Sequence, residues 1–268
     1  MKDASSSNIA LLLAYDGAAY HGWQVQADIG TVQGTVGDAL RPLVGATVLP
    51  VGASRTDAGV HALGQVASFV SPRPLAPSVV RDALNATLPR DVRVLAARAV
   101  PEGFDARRSA RLKSYGYLIA EGAVHSPFLR GYAWHVPRPL DVGAMRAALT
   151  TLRGTHDFSA FQAAAGRDRD PVCTILAARL VRRGALLGVV VSADAFLHHM
   201  VRNIVGTIVE VGLGRRRPKW VVEVLAGRDR RRAGATAPAH GLFLLSVRYP
   251  FPLFPGAGRA RRGRRLGG

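Results

Sequence analysis

Cysteine occurs once in this chain of 268 residues, at Cys173. A single thiol excludes an intrachain disulfide, a Cys-x-x-Cys zinc knuckle and a thioredoxin-type motif, and it fits a reducing, cytoplasmic setting. Acidic side chains are scarce as well: 18 stand against 36 basic ones, giving a formal charge of +18 and a sequence pI near 11.5. Lysine supplies only Lys2, Lys113 and Lys219, so the excess is carried by arginine. No apolar run reaches the roughly 18 residues of a membrane span, because Asp194 or Glu210 interrupts each candidate. The run 9–14 is too short for a signal-peptide core and is followed at once by Tyr15 and Asp16. Neither a Walker loop nor a G-x-G-x-x-G after a strand is present. The expectation is a soluble protein with no membrane span.

What remains is globular in composition, with 48% hydrophobic and 20% charged residues. The length exceeds the usual domain mode of about 100–150 residues, so one large α/β domain or two fused halves is expected. A basic excess of this size points to a polyanionic partner, nucleic acid or a membrane surface, and says nothing of the fold. Residues 255–268 are mostly Gly, Arg and Pro and read as a disordered tail. Its five arginines leave thirteen of the eighteen units to the rest of the chain.

Local patterning reads as strands over 8–15, 60–70 and 92–100, with a helix from Val32 to the Gly45 stop and another over 74–88. Thr31 is the expected N-cap of the first helix. The second half repeats a similar order: strands over 113–120 and 132–136, then a helix over 141–152 capped by Asp141. A hairpin about Arg182-Arg183-Gly184 follows, then a helix over 198–211 stopped by Gly212 and Gly214, a short helix over 220–226 and a closing strand over 241–249. Strands mixed with helices in two halves argue for an α+β fold, with two packed sheets or one continuous sheet.

The chemistry concentrates in a few places. Asp57, in Ser54-Arg55-Thr56-Asp57-Ala58-Gly59, reads either as a turn cap or as a bare carboxylate set on a rigid strand, fit to act as nucleophile or base. Arg202 sits in the first turns of a helix whose dipole disfavours a cation, so it is either a snorkelling surface arginine or the partner of a buried acid such as Asp57. On the strand 113–120, alternation puts Lys113, Tyr115, Tyr117 and Ile119 on one face, which suits base stacking by an RNA-binding sheet and equally an ordinary half-buried strand. The triplets Arg215-Arg216-Arg217 and Arg230-Arg231-Arg232 read as phosphate contacts or as solvated loops. His198 and His199 are adjacent, so on a helix they would point apart and suit a metal poorly. No second acid stands ready for a paired-carboxylate hydrolase.

These residues fall in a pattern that resembles the TruA-type tRNA pseudouridine synthases. The resemblance spans roughly 8–250. It is carried by Tyr15-Asp16-Gly17, Tyr20-His21-Gly22-Trp23-Gln24-Val25-Gln26, Arg55-Thr56-Asp57-Ala58-Gly59-Val60-His61-Ala62 and Phe104-Asp105-Ala106-Arg107. Later blocks are Lys113-x-Tyr-x-Tyr, Gly154-x-His-Asp-Phe, Phe196-Leu197-His198-His199-Met200-Val201-Arg202-Asn203 and Ala235-Thr236-Ala237-Pro238. It implies an isomerase that turns uridine into pseudouridine at positions 38, 39 and 40 in the anticodon arm of tRNA, without cofactor or metal. By this resemblance Asp57 is the catalytic aspartate, Arg55 helps the target nucleotide leave the stack, Tyr115 stacks on the target base and Arg202 partners Asp57. It further implies two similar ferredoxin-like halves in one mixed, mostly antiparallel sheet, with a basic central cleft. The halves would be 1–107 and 108–252, with 253–268 as tail, and the protein a homodimer. The rivals are a non-catalytic RNA-binding protein of the same fold and a ribonuclease using His61 or His199.

Overall fold

The computed structural model describes residues 6–163 and 170–255. The disordered tail expected from sequence lies, over 256–268, outside the described residues. The first strand, β1 (Ser7–Tyr15), is apolar without alternation because both of its faces are covered. Ile9, Leu11 and Leu13 enter the main core, while Ala10 and Leu12 join a smaller cluster on the opposite face with Val66, Ala106 and Leu253. Helix α1 (Val32–Val44) is capped as the sequence requires: Thr31 Oγ1 accepts from the Gly34 amide, and Gly45 takes the left-handed conformation at φ 75°. Its buried stripe is Val32, Val36, Leu40 and Val44.

A two-residue strand, β2 (Val51–Gly52), then leads through a loop into β3 (His61–Ser71), followed by α2 (Pro77–Thr87) and β4 (Val92–Ala99). The second half contributes β5 (Leu112–Glu121), β6 (Trp134–Val136), α3 (Val142–Thr150) with Asp141 as its cap, and β7 (Gly154–Asp157). The hairpin β8 (Val172–Arg183) and β9 (Leu186–Ala193) precedes α4 (Met200–Gly212), α5 (Lys219–Gly227) and β10 (Leu242–Arg248).

All ten strands form one mixed, mostly antiparallel sheet, confirming the α+β class and choosing the continuous-sheet alternative. Its order is β4-β1-β3-β10-β5-β9-β8-β7, with β2 beside β3 and β6 beside β5. The seam between the halves is the parallel pairing of β3 with β10, where His61 faces Phe243 and Ala62 faces Leu244. This seam brings the loop before β3 close to the helix α4. Apolar side chains of all five helices join the main core cluster, so the helices share that side of the sheet.

Two local expectations shift. The helix expected to start at 198 starts at Met200, because His199 is left-handed at φ 60°. Gly212 ends α4 from inside; a β-carbon there would lie 2.5 Å from Met145 Sδ, so it permits close packing of α3 on α4.

Candidate active site

The loop 53–60 between β2 and β3 is tied down along its length. Gln65, fully buried on β3, holds Ser54 at both ends: its Oε1 accepts from the Ser54 amide at 3.2 Å and its Nε2 donates to the Ser54 carbonyl at 2.6 Å. The Tyr15 hydroxyl lies 2.8 Å from Thr56 Oγ1, and burial pushes the Tyr15 phenol up to about 12. The Trp23 amide donates to the Thr56 carbonyl at 3.0 Å. Gly22, at φ 90°, permits this approach, since a β-carbon there would lie 2.5 Å from the Thr56 carbonyl oxygen.

Asp57 therefore leaves a fixed backbone, with its side chain 21% exposed. Arg202, on the first turn of α4, donates from Nη1 to Asp57 Oδ2 at 3.0 Å and from Nε to the Ala237 carbonyl at 2.8 Å. The two residues stand 145 positions apart in the chain. The contact is a single charge-assisted hydrogen bond rather than a bidentate one, because the guanidinium divides its donors between the carboxylate and the 237 loop. That loop is braced in turn. Asn203, fully buried, accepts from Arg230 Nη2 at 2.9 Å and from Thr236 Oγ1 at 2.7 Å, and the Gly234 amide donates to Thr207 Oγ1 at 3.0 Å. Arg230 thus faces inward as a brace, not outward as a phosphate contact.

His198 Nε2 lies 3.6 Å from Asp57 Oδ1, and His199 Nε2 lies 3.4 Å from Asp57 Oδ2. Sequence reasoning put both on a helix and drew their rings apart. The left-handed turn at His199 instead aims both rings at one carboxylate, with ring centroids 4.0 Å apart. Burial pushes the His199 imidazole below its ordinary value, against the opposing pull of Asp57. One donor atom from each of Asp57, His198 and His199 lies within 4.8 Å of the others, a spacing that could enclose a cation. The guanidinium already seated on the same carboxylate works against one electrostatically.

The four residues expected from sequence do come together. Asp57, Arg55 and Tyr115 line a cavity of about 840 Å³ with His198 and His199, and Arg202 reaches Asp57 from α4. Tyr115 is only 5% exposed; its hydroxyl lies 2.9 Å from Ser54 Oγ and 3.4 Å from the Arg55 carbonyl, and burial raises its pKa. Phe196 packs against its ring edge-on, with centroids 5.0 Å apart. Tyr117 does not share that place. It is fully buried and donates to the Pro238 carbonyl at 2.8 Å, so the tyrosine pair is one cavity ring and one core ring rather than an open stacking sheet. His61 is 2% exposed, with Nδ1 accepting from the Gly17 amide at 3.0 Å and Nε2 3.0 Å from the Gly131 carbonyl. No acid–base work on RNA is open to it there.

A carboxylate fixed under an arginine faces a cavity with an aromatic wall, roomy enough to admit a nucleoside. The profile of the tRNA pseudouridine synthase family matches residues 12–107 and 148–250, and the chain belongs to that family. Curated relatives named tRNA pseudouridine synthase A include that of Myxococcus xanthus, 48% identical over 90% of this chain and 91% of the relative. That of Methylacidiphilum infernorum is 45% identical over 90% and 94%, and that of Coxiella burnetii 43% over 91% and 94%. Asp57 and Arg202 fall inside the two matched segments, and Tyr115 lies between them.

Proposed function

We propose that this protein converts uridine to pseudouridine in tRNA, at positions 38, 39 and 40 of the anticodon arm, with Asp57 as the catalytic carboxylate. The observation that carries the reading is the Asp57–Arg202 contact of 3.0 Å at the cavity lined by Tyr115. In the reaction the N1–C1′ bond breaks, the uracil turns in place, C5 bonds to C1′, and the proton of C5 is lost while N1 gains one. The product has the formula of the substrate. Asp57 traps or stabilises the sugar carbon, or adds to the base, and assists removal of the C5 proton. A base inside a stem must first leave the stack, at a cost of a few kcal/mol, which stacking on Tyr115 and filling of the gap by Arg55 offset. The chemistry calls for no cofactor and no metal.

The same reading takes a basic cleft over the sheet as the seat of the anticodon arm, with 1–107 and 108–252 as the two halves. It takes the working form as a homodimer in the cytoplasm, one tRNA touching both subunits. Within the described residues no helix is long and apolar enough to cross a membrane.

A tRNA transcript carrying tritium at C5 of its uridines tests the reaction. The expected result is release of label to water from RNA that keeps its full length. A binding protein releases none, and a ribonuclease shortens the RNA.

For Tyr115 the structure separates ring from hydroxyl. Tyr115→Phe loses the hydroxyl's contact with Ser54 and its long one with the Arg55 carbonyl, about 0.5–1.5 kcal/mol, so its single-turnover rate stays within about tenfold of wild type. Tyr115→Ala loses the stacking face, worth about 1–3 kcal/mol, and opens a void in the core as well. Its rate, measured below its melting transition, falls by at least tenfold. An alanine variant as fast as wild type removes the stacking role.

A further inference from the structure

The loop that follows β4 is held with unusual completeness for a surface loop. Ala106 is fully buried; its amide donates to Ser68 Oγ at 3.0 Å and its carbonyl accepts from the Tyr249 hydroxyl at 2.8 Å. Asp105 Oδ1 accepts from the amides of Arg107 and Arg108, each at 2.8 Å, and the Ser109 amide donates to the Asp105 carbonyl at 2.9 Å. Phe104 packs on the ring of Tyr249 with centroids 5.3 Å apart. The outcome is an exposed arginine, Arg107, on a rigid support at the rim of the cavity that contains Asp57. Among the described residues its guanidinium makes no hydrogen bond or ion pair. The side chain of Arg55, on the other loop of the same rim, makes none either. Exposed arginines away from the cavity, such as Arg90, Arg130 and Arg183, lack a side-chain partner among the described residues as well, so it is the place at the cavity rim that sets Arg107 apart.

We propose that Arg107 grips a backbone phosphodiester of the RNA beside the extruded uridine. The proposal rests on the reading of the cavity as the uridine site. When a nucleotide turns out of a stack, its flanking phosphates come to the rim while the base goes to the floor. A guanidinium at the rim meets the phosphate oxygens with a planar pair of donors, and contacts of this kind set register without reading sequence. Because the Asp105 carboxylate and the Ala106 backbone hold the loop and Arg107 contributes only its own amide, the guanidinium is presented on a loop that needs no further ordering. Arg108, in the same turn and equally exposed, does not line the cavity. It is the internal control.

The test is the salt dependence of tRNA binding by Asp57→Asn protein, with an unmodified transcript that carries uridines in the anticodon arm. Adding Arg107→Ala is expected to weaken binding about tenfold and to reduce the slope of log K against log salt by about 0.7–0.9, the loss of one phosphate contact. Arg107→Lys restores the slope, and Arg108→Ala leaves it unchanged. A slope untouched by Arg107→Ala, or lowered equally by Arg108→Ala, overturns the proposal. If the Asp57→Asn protein binds no tRNA at all, the reading of the site fails, and the phosphate contact falls with it.

Discussion

Asp57→Asn is expected to stop the reaction, lowering the single-turnover rate at least about 10⁴-fold, or about 5.4 kcal/mol of transition-state stabilisation. Asparagine keeps the shape of the side chain and an oxygen that Arg202 can still reach, so the cavity and the Ala237 contact survive. What disappears is the anionic oxygen that meets the sugar or the base. Affinity for tRNA should therefore stay within about tenfold, or 1.4 kcal/mol, of wild type. Loss of binding together with activity would mean that Asp57 builds the site rather than works in it.

The second large effect belongs to Arg202. Its guanidinium joins the Asp57 loop to the 237 loop, with one donor on each. Arg202→Met removes both contacts, leaves the Ala237 carbonyl unpaired and frees the carboxylate to swing toward His198 or His199. We expect kcat to fall about 10²–10³-fold, the usual loss for a preorganised donor in an active site, with a smaller change in KM. Arg202→Lys recovers little, because a single ammonium on a flexible stem does not span the carboxylate and the carbonyl together. Steady-state kinetics on a tRNA transcript measure both. A methionine variant within threefold of wild type in kcat contradicts the positioning role.

Much of this was legible in the sequence where local chemistry decides the outcome. Thr31 and Asp141 cap their helices, Gly45 ends one, and the 182–184 turn joins β8 to β9, because cap and turn preferences act within a few residues. The Asp57–Arg202 pair could be inferred because a cation in the first turn of a helix needs compensation. The strands β2 and β7 carry no signal of their own; with two and four residues they exist only because a neighbouring strand offers a ladder. The place of β10 between β3 and β5 is a long-range choice that no local pattern records.

The site hid its details for the same reason. Periodicity marked Tyr115 and Tyr117 as one face, which they are, but not that the face is covered and that only Tyr115 meets the cavity. Helical geometry placed the rings of His198 and His199 apart, and one left-handed residue brought both to Asp57. Gln65 reads as one more polar residue on a strand, yet it is fully buried and clamps the loop on which Asp57 stands. A glutamine on a buried strand, with no visible partner nearby in sequence, was the only signal that could have revealed it.

The proposed role of Asp57 is to isomerise uridine within intact tRNA. The direct measurement is mapping of pseudouridine at single-nucleotide resolution in an unmodified tRNA transcript, after incubation with the wild-type protein and, separately, with Asp57→Asn. Pseudouridine at one or more of positions 38–40 with wild type, full-length RNA throughout and no conversion by the variant is the predicted result. An unmodified transcript after wild-type treatment, or equal modification by Asp57→Asn, contradicts the account.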